Sequence, residues 1–141
     1  MHRVYSALMG LLQPLVPLRL RWRARSEPVY AQAIAERFGR YGAQVPGAVS
    51  PGYVWVHAVS LGETRACAAL VAQLRQALPD MRLLLTHGTA TGRTQGQSLL
   101  RQGDVQVWQP WDTPGAVARF LTRFRPRIGL LVETEVWPNL V

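Results

Sequence analysis

The sequence contains no lysine. All 16 basic side chains are arginine, set against eight acids, and the net charge is +8. Guanidinium groups hold their charge at any working pH and grip phosphate through a planar fork. This balance favours anionic partners: nucleic acid, a phospholipid surface or a phosphorylated substrate. An arginine-rich genome accounts equally well for the missing lysine, but it leaves the charge in place. No GK[ST] run is present, which argues against a P-loop and ATP hydrolysis. Cysteine occurs once, at Cys67. An internal disulfide is therefore excluded, and a reducing compartment is the simpler reading. Between Ala66 and Ala68 in a predicted helix, Cys67 reads as a small core residue rather than a nucleophile.

Long hydrophobic runs are also missing. Val4 to Leu18 is mostly apolar but is broken by Gln13, Pro14 and Pro17. It falls short of the ~20 residues that a spanning helix needs. No small-residue cleavage site follows it, which argues against a removable signal peptide. Instead Arg19, Arg21, Arg23 and Arg25 follow at once, with Trp22 among them. Apolar residues followed by arginine and tryptophan fit a segment lying in the membrane interface, its arginines against anionic cytoplasmic lipid. A first helix packed on its own domain is the plainer alternative. Residues 1–27 are assigned to this segment and 28–141 to an α/β domain.

What is present supports a buried core: 48 % of residues are hydrophobic and 17 % charged. Val29 to Tyr41 reads as an amphipathic helix, with Pro28 in its first turn and Gly39 and Gly42 at its end. A turn-rich linker covers 43–52. A regular alternation follows. Strands are expected at 53–59, 81–86, 105–109 and 127–132, and helices at 62–78, 90–102 and 114–124. Thr113 is placed to cap the last of these helices. Short connections between strands and helices imply right-handed crossovers and a parallel, Rossmann-like sheet with helices on both faces. Pro138 would open another helix, but the chain ends at Val141, so it reads as a fragment of a larger protein.

Ligands of such sheets bind at the carboxyl ends of the strands. The loops there run over 60–63, 87–92, 110–113 and 133–139. None carries the GxGxxG of a dinucleotide site. Small and hydroxyl residues at His87-Gly88-Thr89-Ala90-Thr91-Gly92-Arg93 can present backbone N–H groups to phosphate at a helix start, or simply form a turn. Ser60-Leu61-Gly62-Glu63 has two readings. One is a capping box, in which Ser60 and Glu63 satisfy the first helical amides. The other is a carboxylate at a strand mouth acting as general base. Glu133 and Glu135, two apart after an apolar strand, point the same way in an extended chain and are costly there unless paired or exposed to a site. His57 reads as a satisfied core or rim histidine and His87 as slightly more functional. Neither has metal-ligand spacing to another donor.

The segments His57-Ala58-Val59-Ser60-Leu61-Gly62-Glu63-Thr64 and Glu133-Thr134-Glu135-Val136-Trp137-Pro138-Asn139 closely resemble signatures of the 3-deoxy-D-manno-octulosonic acid (Kdo) transferases. Gln13-Pro14-Leu15, Glu36-Arg37-Phe38-Gly39 and Thr89-Ala90-Thr91-Gly92 match in order and spacing, so that the resemblance runs from about Tyr5 to Leu140. It implies the N-terminal half of a two-domain GT-B glycosyltransferase whose C-terminal, nucleotide-binding half is absent here. The implied reaction moves Kdo from CMP-Kdo to a phosphorylated lipid A precursor, with inversion, at the cytoplasmic face of the inner membrane. No metal or cofactor is implied. By resemblance, Glu63 is the general base and Glu133 stabilises the transition state. Ser60 and Gly62 shape the loop around the base. Thr89, Thr91, Arg93 and Glu135 join them as acceptor-side residues. His87-Gly88 departs from the pattern, where relatives carry other small or polar residues.

Two competing readings have clear discriminators. Another glycosyltransferase acting on a lipid-linked acceptor would differ in the nucleotide its other half binds. An arginine-rich nucleic-acid module would use Trp22, Trp55, Trp108, Trp111 and Trp137 to stack on bases. The scatter of the arginines and the strand positions of Trp55, Trp108 and Trp137 argue against it.

Overall fold

The computed structural model describes residues 2–132 and 137–140. Its centre is a four-stranded parallel sheet of β1 (Val54–His57), β2 (Leu83–His87), β3 (Val105–Trp108) and β4 (Ile128–Leu131). The spatial order is β3-β2-β1-β4, with Val54 opposite both Leu83 and Ile128 and Leu84 opposite Val105. The order reverses between β1 and β4, which makes their carboxyl ends the topological switch point.

Strand alternation divides the core. Val54, Val56, Leu83 and Leu85 face helix α3 (Leu61–Ala77) through Cys67 and Val71. Tyr53, Trp55, Leu84 and Val107 face helix α5 (Pro114–Phe124) through Val117, Phe120 and Phe124. Cys67 is a buried free thiol, as its alanine neighbours lead one to expect. The α/β alternation is thus as the sequence implies. Edge strand β4 is the exception: Ile128 is 49 % and Leu131 38 % exposed, although its apolar run reads as a buried strand.

Two helices are shorter than their periodicity suggests. Helix α4 covers only Ala90–Gly96 and passes into a 3-10 turn at Gln97–Leu99 rather than reaching Gln102. Gly96 packs directly against the His87 and Gln106 side chains, with no room for a Cβ. Two glycines within seven residues also weaken the helix itself. The expected helix over 29–41 is absent. In its place are 3-10 turns at Pro28–Ala31 and Ile34–Phe38, parted by Ala33 in a left-handed conformation. Tertiary contacts override the local pattern here: Tyr30 stacks on Trp108, while Glu36 is drawn under the backbone of β3. Gly39 closes the second turn at φ +68°, as expected of a terminating glycine. Thr113 precedes α5 in extended conformation, but its side chain makes no capping hydrogen bond.

The N-terminal segment folds as α1 (His2–Leu12), a 3-10 turn over Gln13–Leu15, and α2 (Val16–Arg23). Val16 and Leu20 pack on Tyr30 and Trp108. Ser6 Oγ donates to Asn139 Oδ1 at 2.8 Å, and Trp111 Nε1 donates to the Met9 carbonyl at 3.2 Å. One side of the segment is therefore joined to the domain. Its other side is apolar and open: Val4, Leu8, Leu11, Leu15, Leu18 and Trp22 are all more than half exposed.

Candidate active site

Ser60 ends the loop after β1 in extended conformation and starts α3. Its hydroxyl oxygen accepts from Glu63 N at 3.4 Å, while Glu63 Oε2 accepts from Val59 N at 2.6 Å and Ser60 N at 3.2 Å. Ser60 Oγ also donates to Glu63 Oε1 at 2.9 Å. The capping box is therefore present, and the Glu63 carboxylate is held rigidly beside the switch point. Both readings of this loop are served by one geometry: a capped helix start is a stiff mount for a base. Gly62 is exposed on the first turn of α3.

The next loop is tied to the first. Val59 O accepts from Gly88 N at 3.2 Å, Thr89 N at 3.0 Å and Thr89 Oγ1 at 2.9 Å. Thr89 Oγ1 in turn accepts from Gly92 N at 3.2 Å and caps α4. A Cβ on Gly92 would lie 2.9 Å from Val59 O, so only glycine allows this approach. Ser60, Glu63 and Thr89 are thus brought together. Thr91 lies to one side and lines an open groove with Leu61, Glu27 and Val29.

Arg93, expected on the acceptor side, holds an internal ion pair. Its Nη1 meets Glu36 Oε2 at 2.9 Å, and its guanidinium lies 4.7 Å from the centre of the Trp108 ring. Glu36 Oε2 also accepts from Trp108 N at 2.8 Å. This pair is largely buried and joins α4, β3 and the turn before the sheet. Glu133 and Glu135 lie outside the described residues.

His57 and His87 are both fully buried. His57 Nδ1 lies 2.8 Å from Thr86 Oγ1 in the core. His87 Nδ1 donates to Ala58 O at 2.9 Å, and its Nε2 accepts from Gln106 Nε2 at 3.0 Å. Burial pushes its pKa down to about 4. A neutral histidine bridging three strands is a structural tie under the loops, not a group presented to a ligand.

A cleft of about 360 Å³ opens over the ends of β1, β2 and β3. Val59, Gly88 and Gln109 form its sheet side, and α2 forms its opposite wall. Arg37 lines it as well. Nη2 of Arg37 donates to Gly88 O at 2.7 Å, Nη1 donates to Gln109 O at 3.3 Å, and the guanidinium lies 4.4 Å from the centre of the Trp108 ring. Burial, together with the nearby Arg93, pushes its pKa down to about 10, so it stays charged at neutral pH. The sequence marks Glu36-Arg37-Phe38-Gly39 only as a matching segment. A role for Glu36 and Arg37 was hidden because their partners lie 51 to 72 residues away.

The model of the 3-deoxy-D-manno-octulosonic-acid transferase (kdotransferase) family, N-terminal part, matches residues 32–141. The chain belongs to the Kdo transferase family. Among curated relatives, the 3-deoxy-D-manno-octulosonic acid transferase of Bordetella pertussis is 49 % identical over 98 % of this chain and 33 % of its own length. That of Haemophilus influenzae is 33 % identical over 97 % of this chain and 32 % of its own. A probable mitochondrial 3-deoxy-D-manno-octulosonic acid transferase of Arabidopsis thaliana is 34 % identical over 99 % and 31 %. The chain spans about a third of the length of these Kdo transferases. The parallel sheet with Glu63 at its switch point is the family's N-terminal α/β domain.

Proposed function

We propose that the protein transfers Kdo from CMP-Kdo to a lipid A precursor, and that this chain supplies the acceptor side and the base. The observation that carries the reading is the Glu63 carboxylate, fixed by two backbone amides and the Ser60 hydroxyl in the loop after β1, whose Val59 lines the cleft at the strand ends. The Glu63 carboxylate takes the proton from an acceptor hydroxyl as that oxygen attacks the anomeric carbon of Kdo. The bond from that carbon to CMP breaks, and CMP leaves with the electron pair. Attack from the face opposite the leaving group inverts the centre. Glu133, Glu135, Ser60, Gly62, Thr89 and Thr91 complete the acceptor side of this reading. Arg93 acts through its pair with Glu36, which steadies α4. No metal ion or cofactor takes part. The donor nucleotide is held by a second, C-terminal domain in a GT-B arrangement.

The apolar face of α1 and α2 supports action at the cytoplasmic surface of the inner membrane. No described helix is long and apolar enough to cross a membrane. Exposed leucines and Trp22, with Arg19, Arg21 and Arg25 beside them, suit insertion into an anionic interface.

The test is Kdo transfer by the intact protein and its Glu63→Gln variant, with circular dichroism as a folding control. Loss of about 10²- to 10⁴-fold in kcat with the fold retained is expected of a missing base. Near-normal turnover would reduce Glu63 to a helix cap and pass the role to Glu133 or Glu135.

A further inference from the structure

The cleft over the strand ends is lined by three arginines, Arg19, Arg23 and Arg37. Arg19 and Arg23 are four apart on α2, so they share one face of that helix. Arg23 lies 4.2 Å from the centre of the Tyr30 ring, and its carboxylate partner among the described residues is Glu27, at a loose 3.8 Å. Arg37 meets two neutral carbonyls, and neither it nor Arg19 has a salt bridge among the described residues. Among the described residues, the carboxylate lining the cleft is Asp112, which already accepts from Asn139 N at 3.2 Å and interacts with Tyr5. Positive charge is thus concentrated in a partly desolvated cleft without matching negative charge from the described residues. A bound anion would complement these guanidinium groups, above all the part-buried Arg37. The rest of the lining is largely apolar, with Leu12, Leu15 and Trp111 continuous with the exposed face of α1 and α2. Apolar walls beside guanidinium groups suit a phosphate carried on an amphiphile better than free phosphate.

We propose that this cleft is the phosphate subsite for the acylated acceptor, with Arg19, Arg23 and Arg37 gripping a phosphate monoester of that acceptor. The assignment rests on the Kdo transferase reading above and names the arginines that recognise its acceptor. Arg37 is held by the two strand-end carbonyls and sets the floor. Arg19 and Arg23 close on the phosphate from the α2 wall.

The test uses the intact protein and its Arg19→Gln/Arg23→Gln variant, both changes lying on exposed or half-exposed side chains. Calorimetry would compare a water-soluble, deacylated, phosphorylated disaccharide with its dephosphorylated counterpart. The expected result is about tenfold or greater weakening for the phosphorylated probe and none for the other, because charge-assisted contacts to the phosphate are lost. The acceptor KM should rise in step. Equal weakening for both probes, or none for either, overturns the proposal. So does normal binding of the phosphorylated probe by a variant that no longer binds anionic phosphatidylglycerol vesicles, since the arginines would then serve the lipid surface. Calorimetry needs no turnover. Phosphate-dependent binding by an intact protein that transfers no Kdo would sink the transferase reading and leave the subsite standing.

Discussion

At the scale of single residues, the interior polar groups divide by partner. Glu63 faces the loops through a capping box that was legible in the spacing Ser60-Leu61-Gly62-Glu63. His87, read from the sequence as slightly more functional than His57, is sealed between Ala58 and Gln106. Its pKa falls from 6.5 to about 4 because burial penalises the charged ring. The folded protein therefore refuses a proton that the unfolded chain accepts between those values. Stability is unaffected above pH 6.5 and declines as pH drops toward 4, by about 3 kcal/mol at most from this group. Urea unfolding at pH 7 and pH 4.5 (values chosen about that window) would show a shallower acid loss in His87→Gln than in the parent. Identical acid losses would remove His87 from the account.

At the scale of elements, the turn over Ile34–Phe38 is the piece that most departs from its pattern. Its apolar spacing fits a helix, but Glu36 and Arg37 find their partners on β3, on α4 and in the loops after β2 and β3. Gly39 makes the change of direction possible. It has φ +68°, and an added Cβ would stand 2.6 Å from the Ala116 carbonyl and 2.9 Å from Arg119 Cβ. Gly39→Ala should cost about 2–3 kcal/mol through backbone strain and overpacking. The loss should appear in urea midpoints, with the slope of the transition unchanged. A loss below about 0.5 kcal/mol would show that α5 yields easily at this point.

At the scale of the whole molecule, the N-terminal segment has two different sides. One joins the domain through Asn139, Trp111 and Trp108, and the other presents leucines and Trp22 to the outside. The two readings of this segment in the sequence, membrane contact and domain packing, are therefore compatible within one pair of helices. Leu11→Asp/Leu18→Asp should weaken co-sedimentation with anionic vesicles by about tenfold or more, since each leucine carries roughly 1.5–3 kcal/mol of burial. Raising salt should weaken binding of the parent as well. Binding that ignores both changes would place the membrane contact elsewhere.

The sequence by itself determined the α/β alternation, the Glu63 cap, the arginine surplus and the broken apolar N-terminus. Each of these is written in local signals: strand and helix period, capping spacing, proline position and charge. Tertiary structure alone decided that Arg93 pairs with Glu36 across 57 residues, that Arg37 reaches Gly88 across 51, and that three arginines share one cleft. Those contacts follow from strand order and from the fold of α2 over the sheet, and no periodicity along the chain encodes which distant carbonyl or carboxylate a guanidinium will meet.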